Sequence, residues 1–429
     1  VRARTLLTPL ALVPLFLATA VSSGSAAESG TPEGPDRQYL VEGPETPQER
    51  TQVARTGASV DAVGEDAASV TVTATPGEAE AIEDLGHEVT EVPVPNDLLH
   101  QPVDPAYHTY DELTGVVDKV VADFPSLAEK TSVGSSHEGR DIMAVRISGE
   151  EEAGEDKPEV LFTHQQHARE VLTVEMAIYL LTMFTEEYGS DERITELLDS
   201  RTIWILPSVN PDGAVYDTES GSYRNWRKNR QPNSGSNAMG TDLNRNWDYN
   251  WGCCGGSSGS PYSQTYRGAS PESAPEVNVV ADFVRSRVVD GEQRITAHID
   301  FHTYGELVLW PYGYTYDETG PGMSRDDYDA HAELGELMAE TNGYTPQQSS
   351  DLYVTDGSIN DWMWGDQGIF SFTFEMHPGS FTGGGFYPPG GVIEEETARN
   401  RDAVLDLTAY ADCPYRVIGK EAEYCGSAA

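Results

Sequence analysis

The segment His164-Gln-Gln-His167-Ala-Arg169-Glu170 sets an imidazole and a carboxylate three residues apart, just ahead of the apolar-periodic run Val171 to Tyr188. That spacing brings two side chains to one face of a helical turn, where both can reach a single cation. Zinc accepts His nitrogen and Glu oxygen, and a catalytic site keeps three protein ligands and one position open to water. His167 and Glu170 therefore call for a distant third ligand at the end of another element. His302, which closes the β-like run Ile295 to Phe301, is the leading candidate. Two rival histidines, His164 and His298, fall in predicted strands, where successive side chains alternate faces. His298 stands two pleats from His302, too far to share one ion. Both rivals are expected to be structural or to support the ligands.

Four further clusters could converge on such an ion. Arg224-Asn-Trp-Arg227-Lys228-Asn-Arg230 is a basic knot in an acidic chain. Asp242-Leu-Asn244-Arg245-Asn246-Trp247 joins a guanidinium to amides, and Arg grips a carboxylate as a bidentate fork. The loop from Leu352 to Gly357 presents the phenol of Tyr353, and Phe372-Thr-Phe-Glu375 ends an apolar strand in an acid. An acid buried there needs a partner or a task. Singly, each cluster is explained as well by a surface patch, an Asn-rich turn or a plain loop; their joint presence carries the weight.

The elements that must position these groups are readable from periodicity. Thr109-Tyr-Asp-Glu112 is a capping box, and Leu113, Val116, Val117, Val120, Val121 and Phe124 follow at helical spacing. Strands are predicted at 141–147, 158–163, 201–206, 294–301, 307–310 and 369–374, and helices at 273–287 (with a capping box from Ser273 to Glu276), 325–341 and 394–410. The helix carrying Glu170 lies between two strands, a β-α-β unit that implies parallel pairing. The Gly-, Ser- and Asn-rich stretch 210–270 reads as functional loops. Residues 38–94 read as strand-helix-strand-strand-helix-strand, a split βαβ pattern. Pro93, Pro95, Pro102 and Pro105 then mark an extended, protease-accessible linker.

Arg2 and Arg4, the apolar core Leu6 to Val21 and the small residues Ser25-Ala26-Ala27 have the form of an export signal over residues 1–27. That core is shorter than the ~20 apolar residues of a spanning helix. The chain has 429 residues, with 27 Lys and Arg against 71 Asp and Glu, a formal net charge of −44. Such a surface repels nucleic acid and anionic membranes, so neither is an expected partner. Four cysteines fit an oxidising compartment. Three pairings are possible, and Cys413–Cys425, closing a short terminal loop, is the favoured one.

In order and spacing, the motifs from Tyr107 to Cys425 resemble the zinc carboxypeptidases (carboxypeptidase A-like), nearest the secreted bacterial branch of carboxypeptidase T. The matching segments are 167–170, Asn210-Pro-Asp-Gly213, Arg224 to Lys228, Asp242 to Trp247, Phe301-His-Thr-Tyr304, Pro311-Tyr-Gly-Tyr314, Asp361-Trp362 and Phe372 to Glu375. The resemblance implies an α/β fold with a mixed, mostly parallel central sheet and helices on both faces. It implies Zn2+ on His167, Glu170 and His302, with Asp242 orienting the first imidazole. Glu375 becomes the general base and Arg227 the residue that polarises the scissile carbonyl, with Arg169 and Arg224 lining nearby subsites. Asn244 and Arg245 would hold a free C-terminal carboxylate, and Tyr353 would close over it. In the loop 351–361, Asn360 stands where basic-specific relatives carry an acid, while Asp351 and Asp356 could place charge nearby. An apolar or mixed preference is expected.

The same resemblance divides the chain into signal peptide (1–27), pro-segment with its small α+β domain and linker (28–103) and catalytic domain (104–429). The expected protein is a secreted, extracellular, monomeric zymogen that needs an activating protease, acts on peptide or protein C-termini and leaves the membrane once its signal is removed. Ca2+ is an additional expectation drawn from bacterial relatives, without a loop motif to place it. Two rival readings are an amidase or deacylase on the same scaffold, which would lack the Asn244/Arg245 pair, and a non-catalytic peptide binder, which would have lost a ligand or the base.

Overall fold

Alternating runs and continuous apolar runs resolve, among the described residues, into two main sheets and one small hairpin. The computed structural model describes residues 36–64, 67–92, 101–149 and 157–426; the expected export signal and the linker prolines Pro93 and Pro95 lie outside them. The smaller sheet holds β1 (Arg37–Glu42), β2 (Ser59–Val63), β3 (Ser69–Ala74) and β4 (Glu88–Glu91), in the order β2-β3-β1-β4 and antiparallel throughout. Its two helices, Pro47–Ala54 and Pro76–Asp84, each begin with a capping box and a proline in the first turn. Proline is preorganised there because its missing N–H would have had no partner. Val41, Val53, Val60, Val70, Val72 and Ile82 form the core, and Tyr353 from the larger domain joins it.

The larger sheet contains β5 (Ala128–Ser135), β6 (Asp141–Ile147), β7 (Glu159–His164) and β8 (Thr202–Leu206). A two-residue hairpin, β9 (Val288–Val289) with β10 (Glu292–Gln293), stands apart and leads into β11 (Ile295–Thr303). β12 (Leu307–Trp310), β13 (Thr345–Gln348) and β14 (Phe370–Met376) complete the sheet, whose order is β13-β12-β14-β11-β7-β8-β6-β5. The central four strands are parallel. Both faces are covered, which is why β7 and β8 read as unbroken apolar runs. Helices Tyr110–Asp123, Leu172–Glu186, Arg325–Asn342 and Arg401–Tyr410 cover one face around Leu180, Phe184, Phe301 and Phe372. Helices Pro275–Ser286 and Ile359–Gly365 cover the other around Leu161, Trp204, Val277 and Trp362. Each such side chain contributes about 1.5–3 kcal/mol on full burial.

This is the expected α/β architecture, with three local departures. β5 was not anticipated: it is an edge strand paired only to β6, and its polar run Glu129 to Ser132 carries no apolar alternation. The capping box at Ser273 does not form, because the Glu276 carboxylate turns inward to accept from the His137 N–H and Asn229 Nδ2. The helix expected over 394–410 breaks into Ile393–Ala398 and Arg401–Tyr410. Buried Asn400 sits at the break and uses its amide on Tyr344, Asn342 and the Glu396 carbonyl. Both cysteine pairs, Cys253–Cys254 and Cys413–Cys425, are disulfide-bonded.

Candidate active site

Open α/β sheets carry their sites at the carboxyl ends of the parallel strands. Here β7, β11 and β14 each deliver a functional group at that edge. After β7 the chain reverses through Gln165, which adopts a φ of +55°. Asn210 braces the reversal: its Nδ2 donates to the Gln166 carbonyl at 3.0 Å, and its Oδ1 caps the helix Pro211–Thr218 through the Gly213 N–H. The helix expected to hold His167 and Glu170 starts only at Leu172. Both residues instead occupy a tight turn closed by the Glu170 N–H on the His167 carbonyl, at 3.2 Å. The spacing still converges them, with His167 Nδ1 2.7 Å from Glu170 Oε1.

His302, at the end of β11, completes the set. Its Nδ1 lies 2.8 Å from Glu170 Oε2 and 3.2 Å from His167 Nδ1. All three residues are buried, and their ligand atoms lie within 4.8 Å of one another. Behind each ring stands a carboxylate: Asp242 Oδ1 is 3.0 Å from His167 Nε2, and Asp300 Oδ2 is 2.5 Å from His302 Nε2. These acids claim the ring protons at Nε2 and turn both Nδ1 lone pairs inward. Two facing lone pairs repel unless a cation lies between them. The donor set, two imidazoles and one carboxylate beside a cavity, fits a single zinc ion with room for a further ligand. Another group, Glu306–His377–Glu396, has comparable geometry. There Arg399 pairs with both carboxylates, so positive charge is already in place.

Charge around the triad is steeply graded. Burial pushes the Asp242 carboxyl up, but the Arg227 charge and the hydrogen bond from His167 outweigh it, and the group lies well below the usual carboxylate range. Glu170 is likewise lowered against its burial by His167 and His302. Glu375 behaves oppositely. It stands on β14 in register with His302, and desolvation pushes its carboxyl up to about 8, with His302 and Arg227 opposing and Glu170 adding to the rise. The excluded histidines are neutral cores: burial takes His164 down to about 3 and His298 to about 4.

His167, Glu170, Arg227, Asn244, Arg245 and Glu375 line one cavity of about 70 Å³, which Tyr353 and Asn360 also border. Arg227 donates from Nε and Nη2 to Asp242 Oδ2, at 3.1 and 3.0 Å. Arg245 donates from Nη2 to the Tyr353 hydroxyl at 3.2 Å and from Nε to the Gly256 carbonyl at 3.1 Å. Asn244 Oδ1 accepts from the Ile359 N–H, and Asn360 Oδ1 from Ser371 Oγ. Val60, Asp61 and Ala62 of β2 form the opposite wall, and the Val60 carbonyl accepts from the Tyr353 hydroxyl at 3.4 Å. Arg169, fully buried, pairs with Asp61 at 2.8 Å and stacks over Phe386.

Three expectations are corrected. Arg224 does not face the cavity: Glu219 and the Tyr216 carbonyl bind its guanidinium, which lies over the Tyr216 ring. Asp351 is exposed on the short helix Ser349–Leu352, and it is its backbone carbonyl that meets Arg50 of the small domain. Asp356 is buried, with its carboxylate directed into the loop 252–257. Two functional residues went unread, Asp300 and Asp61. For Asp300 a signal existed, because period-two alternation puts it on the His298/His302 face of β11. Asp61 offered none, since only docking of the two sheets brings it to Arg169.

Two carboxylate-braced imidazoles, a third buried ligand and an acid across the cavity define a metal-dependent hydrolase. The family description "Zinc carboxypeptidase" fits residues 113–403. A zinc carboxypeptidase of Saccharothrix mutabilis subsp. capreolus is 45% identical over 415 residues, covering 92% of this chain and 94% of that protein. Rat carboxypeptidase A2 is 36% identical over 286 residues, 65% of this chain and 64% of its own. Among solved structures, that of thrombin activatable fibrinolysis inhibitor matches with a TM-score of 0.70 at 25% identity, covering 88% of this chain and 99% of that one. The chain belongs to the zinc carboxypeptidase family. It is accordingly a metallocarboxypeptidase, of a family that uses zinc and acts on peptide C-termini.

Proposed function

We propose that the protein is a secreted exopeptidase, made as a zymogen, that removes the C-terminal residue of peptides and proteins with Glu375 as general base. The observation that carries this reading is that the His167–Glu170–His302 donors cluster beside one cavity that Glu375 and Arg245 also line. His167, Glu170 and His302 would hold a zinc ion, which would supply a Lewis acid and lower the pKa of water at the site. Arg245, with Asn244, binds the substrate's terminal carboxylate by charge-assisted hydrogen bonds, an anchor that an internal peptide bond lacks. Arg227 keeps Nη1 for the scissile carbonyl oxygen, where negative charge develops. Glu375 Oε takes a proton from the attacking water and then delivers it to the leaving amine nitrogen. Tyr353 and Asn360 border the subsite for the terminal side chain, and a neutral Asn360 suits an apolar or mixed preference.

Residues 36–92 belong in this reading to the pro-segment, 28–103. Val60, Asp61 and Ala62 line one wall of the cavity, and the Asp61–Arg169 pair ties that wall to the larger domain. Cutting the linker would release the wall and open the site. The test is hydrolysis of one peptide, as free acid and as C-terminal amide, by the full-length chain before and after limited proteolysis, with chelator and with zinc restored. Fast, zinc-dependent cleavage of the acid alone after proteolysis supports the reading. Equal rates on acid and amide would favour an amidase or deacylase, and zinc binding without hydrolysis a peptide binder.

A further inference from the structure

Asp356 is absent from the cavity wall, yet it is fully buried and its carboxylate gathers donors from a single loop. The Gly252 N–H reaches Oδ1 at 3.2 Å, and the Cys254 and Gly256 N–H groups reach Oδ2 at 3.2 and 2.9 Å. The Ser257 hydroxyl also donates to Oδ1. Alternate amides of the loop thus face one carboxylate, a concave cradle of N–H dipoles. The Cys253–Cys254 disulfide closes a small ring in the middle of that run. Four donors satisfy the acid without a cation, so the arrangement is a brace and not a ligand site.

The brace holds Arg245. Gly256 donates to Asp356 through its N–H and accepts from Arg245 Nε through its carbonyl. A Cβ on Gly256 would lie 2.4 Å from Thr355 Cα, and one on Gly357 would lie 2.5 Å from the Arg245 carbonyl oxygen. The loop 252–257, the segment 354–357 and the turn Leu243–Arg245 are therefore packed backbone against backbone. The guanidinium also donates from Nη1 to the Asn244 carbonyl at 2.7 Å and from Nη2 to the Tyr353 hydroxyl; its Nε contact is the one that leads, through Gly256, to Asp356.

We propose that Asp356 is the positioning residue for recognition of the substrate's terminal carboxylate, holding the loop whose Gly256 carbonyl orients Arg245. The inference rests on Arg245 being the carboxylate-binding group. Without the Asp356 carboxylate, four donors lose their acceptor, the loop moves and Arg245 loses its fixed direction. Substrate binding weakens, while Glu375, carried on β14, and Arg227, held by Asp242, keep their places.

The experiment uses the full-length chain, activated by limited proteolysis, as wild type, Asp356→Ala, Asp356→Asn and Ser257→Ala. It reads KM and kcat on a free-acid peptide, zinc content, and the ratio of inhibition constants for an N-acetyl dipeptide acid and its amide. For Asp356→Ala, KM is expected to rise by about tenfold, and the acid/amide ratio, below one in wild type, to rise towards one. Its kcat and zinc content should match wild type. Asp356→Asn, which keeps one acceptor oxygen, should recover part of the loss, and Ser257→Ala should show a smaller KM increase. The proposal is overturned if a folded Asp356→Ala keeps its KM and ratio, or, should that variant not fold, if Ser257→Ala does. A parallel loss of kcat and zinc in Asp356→Ala also overturns it, because the role would then be general stability. A wild-type enzyme indifferent to acid against amide would instead refute the reading of Arg245, and the brace falls with it.

Discussion

Replacing Asp61 with Ala should unlock the uncleaved chain. Asp61 and Arg169 form an ion pair of 2.8 Å with neither side chain exposed to solvent. Removing one partner of a buried pair strands the other charge and typically costs about 3–5 kcal/mol. Arg169 would retain only long contacts to Thr73 Oγ1 (3.2 Å), Asn225 Oδ1 (3.4 Å) and Ser59 Oγ (3.4 Å), with its stack on Phe386. These offset part of the loss, so the hold of residues 36–92 on the cavity should weaken by about 2–4 kcal/mol, or one to three powers of ten in the open fraction. Asp61 also accepts from Ser59 and Thr73 within its own sheet. Asp61→Asn, which keeps an acceptor there, separates the ion pair from the small domain's own stability. The assay is hydrolysis of a free-acid peptide before any proteolysis, with the fully cleaved protein as ceiling. A rise of tenfold or more over wild type, larger for Ala than for Asn, supports the clasp. If folded Asp61→Ala stays at the wild-type background, or uncleaved wild type already matches cleaved protein, the reasoning is refuted.

Glu375→Gln should lower kcat by about 10²–10⁴-fold with zinc content unchanged, measured on the cleaved protein; loss of the metal would mean that Glu375 supports the site instead. Prolonged chelation should abolish hydrolysis and lower the melting temperature, since the facing His167 and His302 nitrogens lose their shared cation, and zinc should restore both. Asp361 tests linkage. Burial raises its carboxyl to about 7 despite the N–H groups of Gly313 and Tyr314, so the folded state holds a proton that the unfolded chain gives up near 4. That stability is fully present below the unfolded value and is lost as pH rises through about 7. Asp361→Asn should flatten the decline, on the order of a few kcal/mol, in denaturant titrations across this range; an unchanged slope would contradict the assignment.

The legible parts were those in which local rules act alone. The Thr109/Glu112 capping box opens its helix where expected, because both partners belong to one turn. The β-α-β order around β7 and β8 announced their parallel pairing. β5 escaped because an edge strand can stay polar, and the cap at Ser273 failed because a remote Asn229 competes for Glu276. In the site, spacing was enough to pair His167 with Glu170, and a strand end was enough to nominate His302. Among the arginines, residue type was a poor guide: Arg227 faces the cavity while Arg224, three residues earlier, is taken by Glu219.

By itself the sequence determined the chemistry on offer: an imidazole–carboxylate pair, a distant histidine, an acid ending an apolar strand and a guanidinium among amides. Short-range geometry dictates those features, and it is written in neighbouring residues. Tertiary structure alone decided which groups share a cavity, which acids lie behind the ligands, and that Asp61 reaches Arg169 and Asp356 reaches the loop that orients Arg245. These choices depend on the register of β11 between β7 and β14 and on the docking of two sheets. Long-range packing sets both, so no window of neighbouring residues contains them.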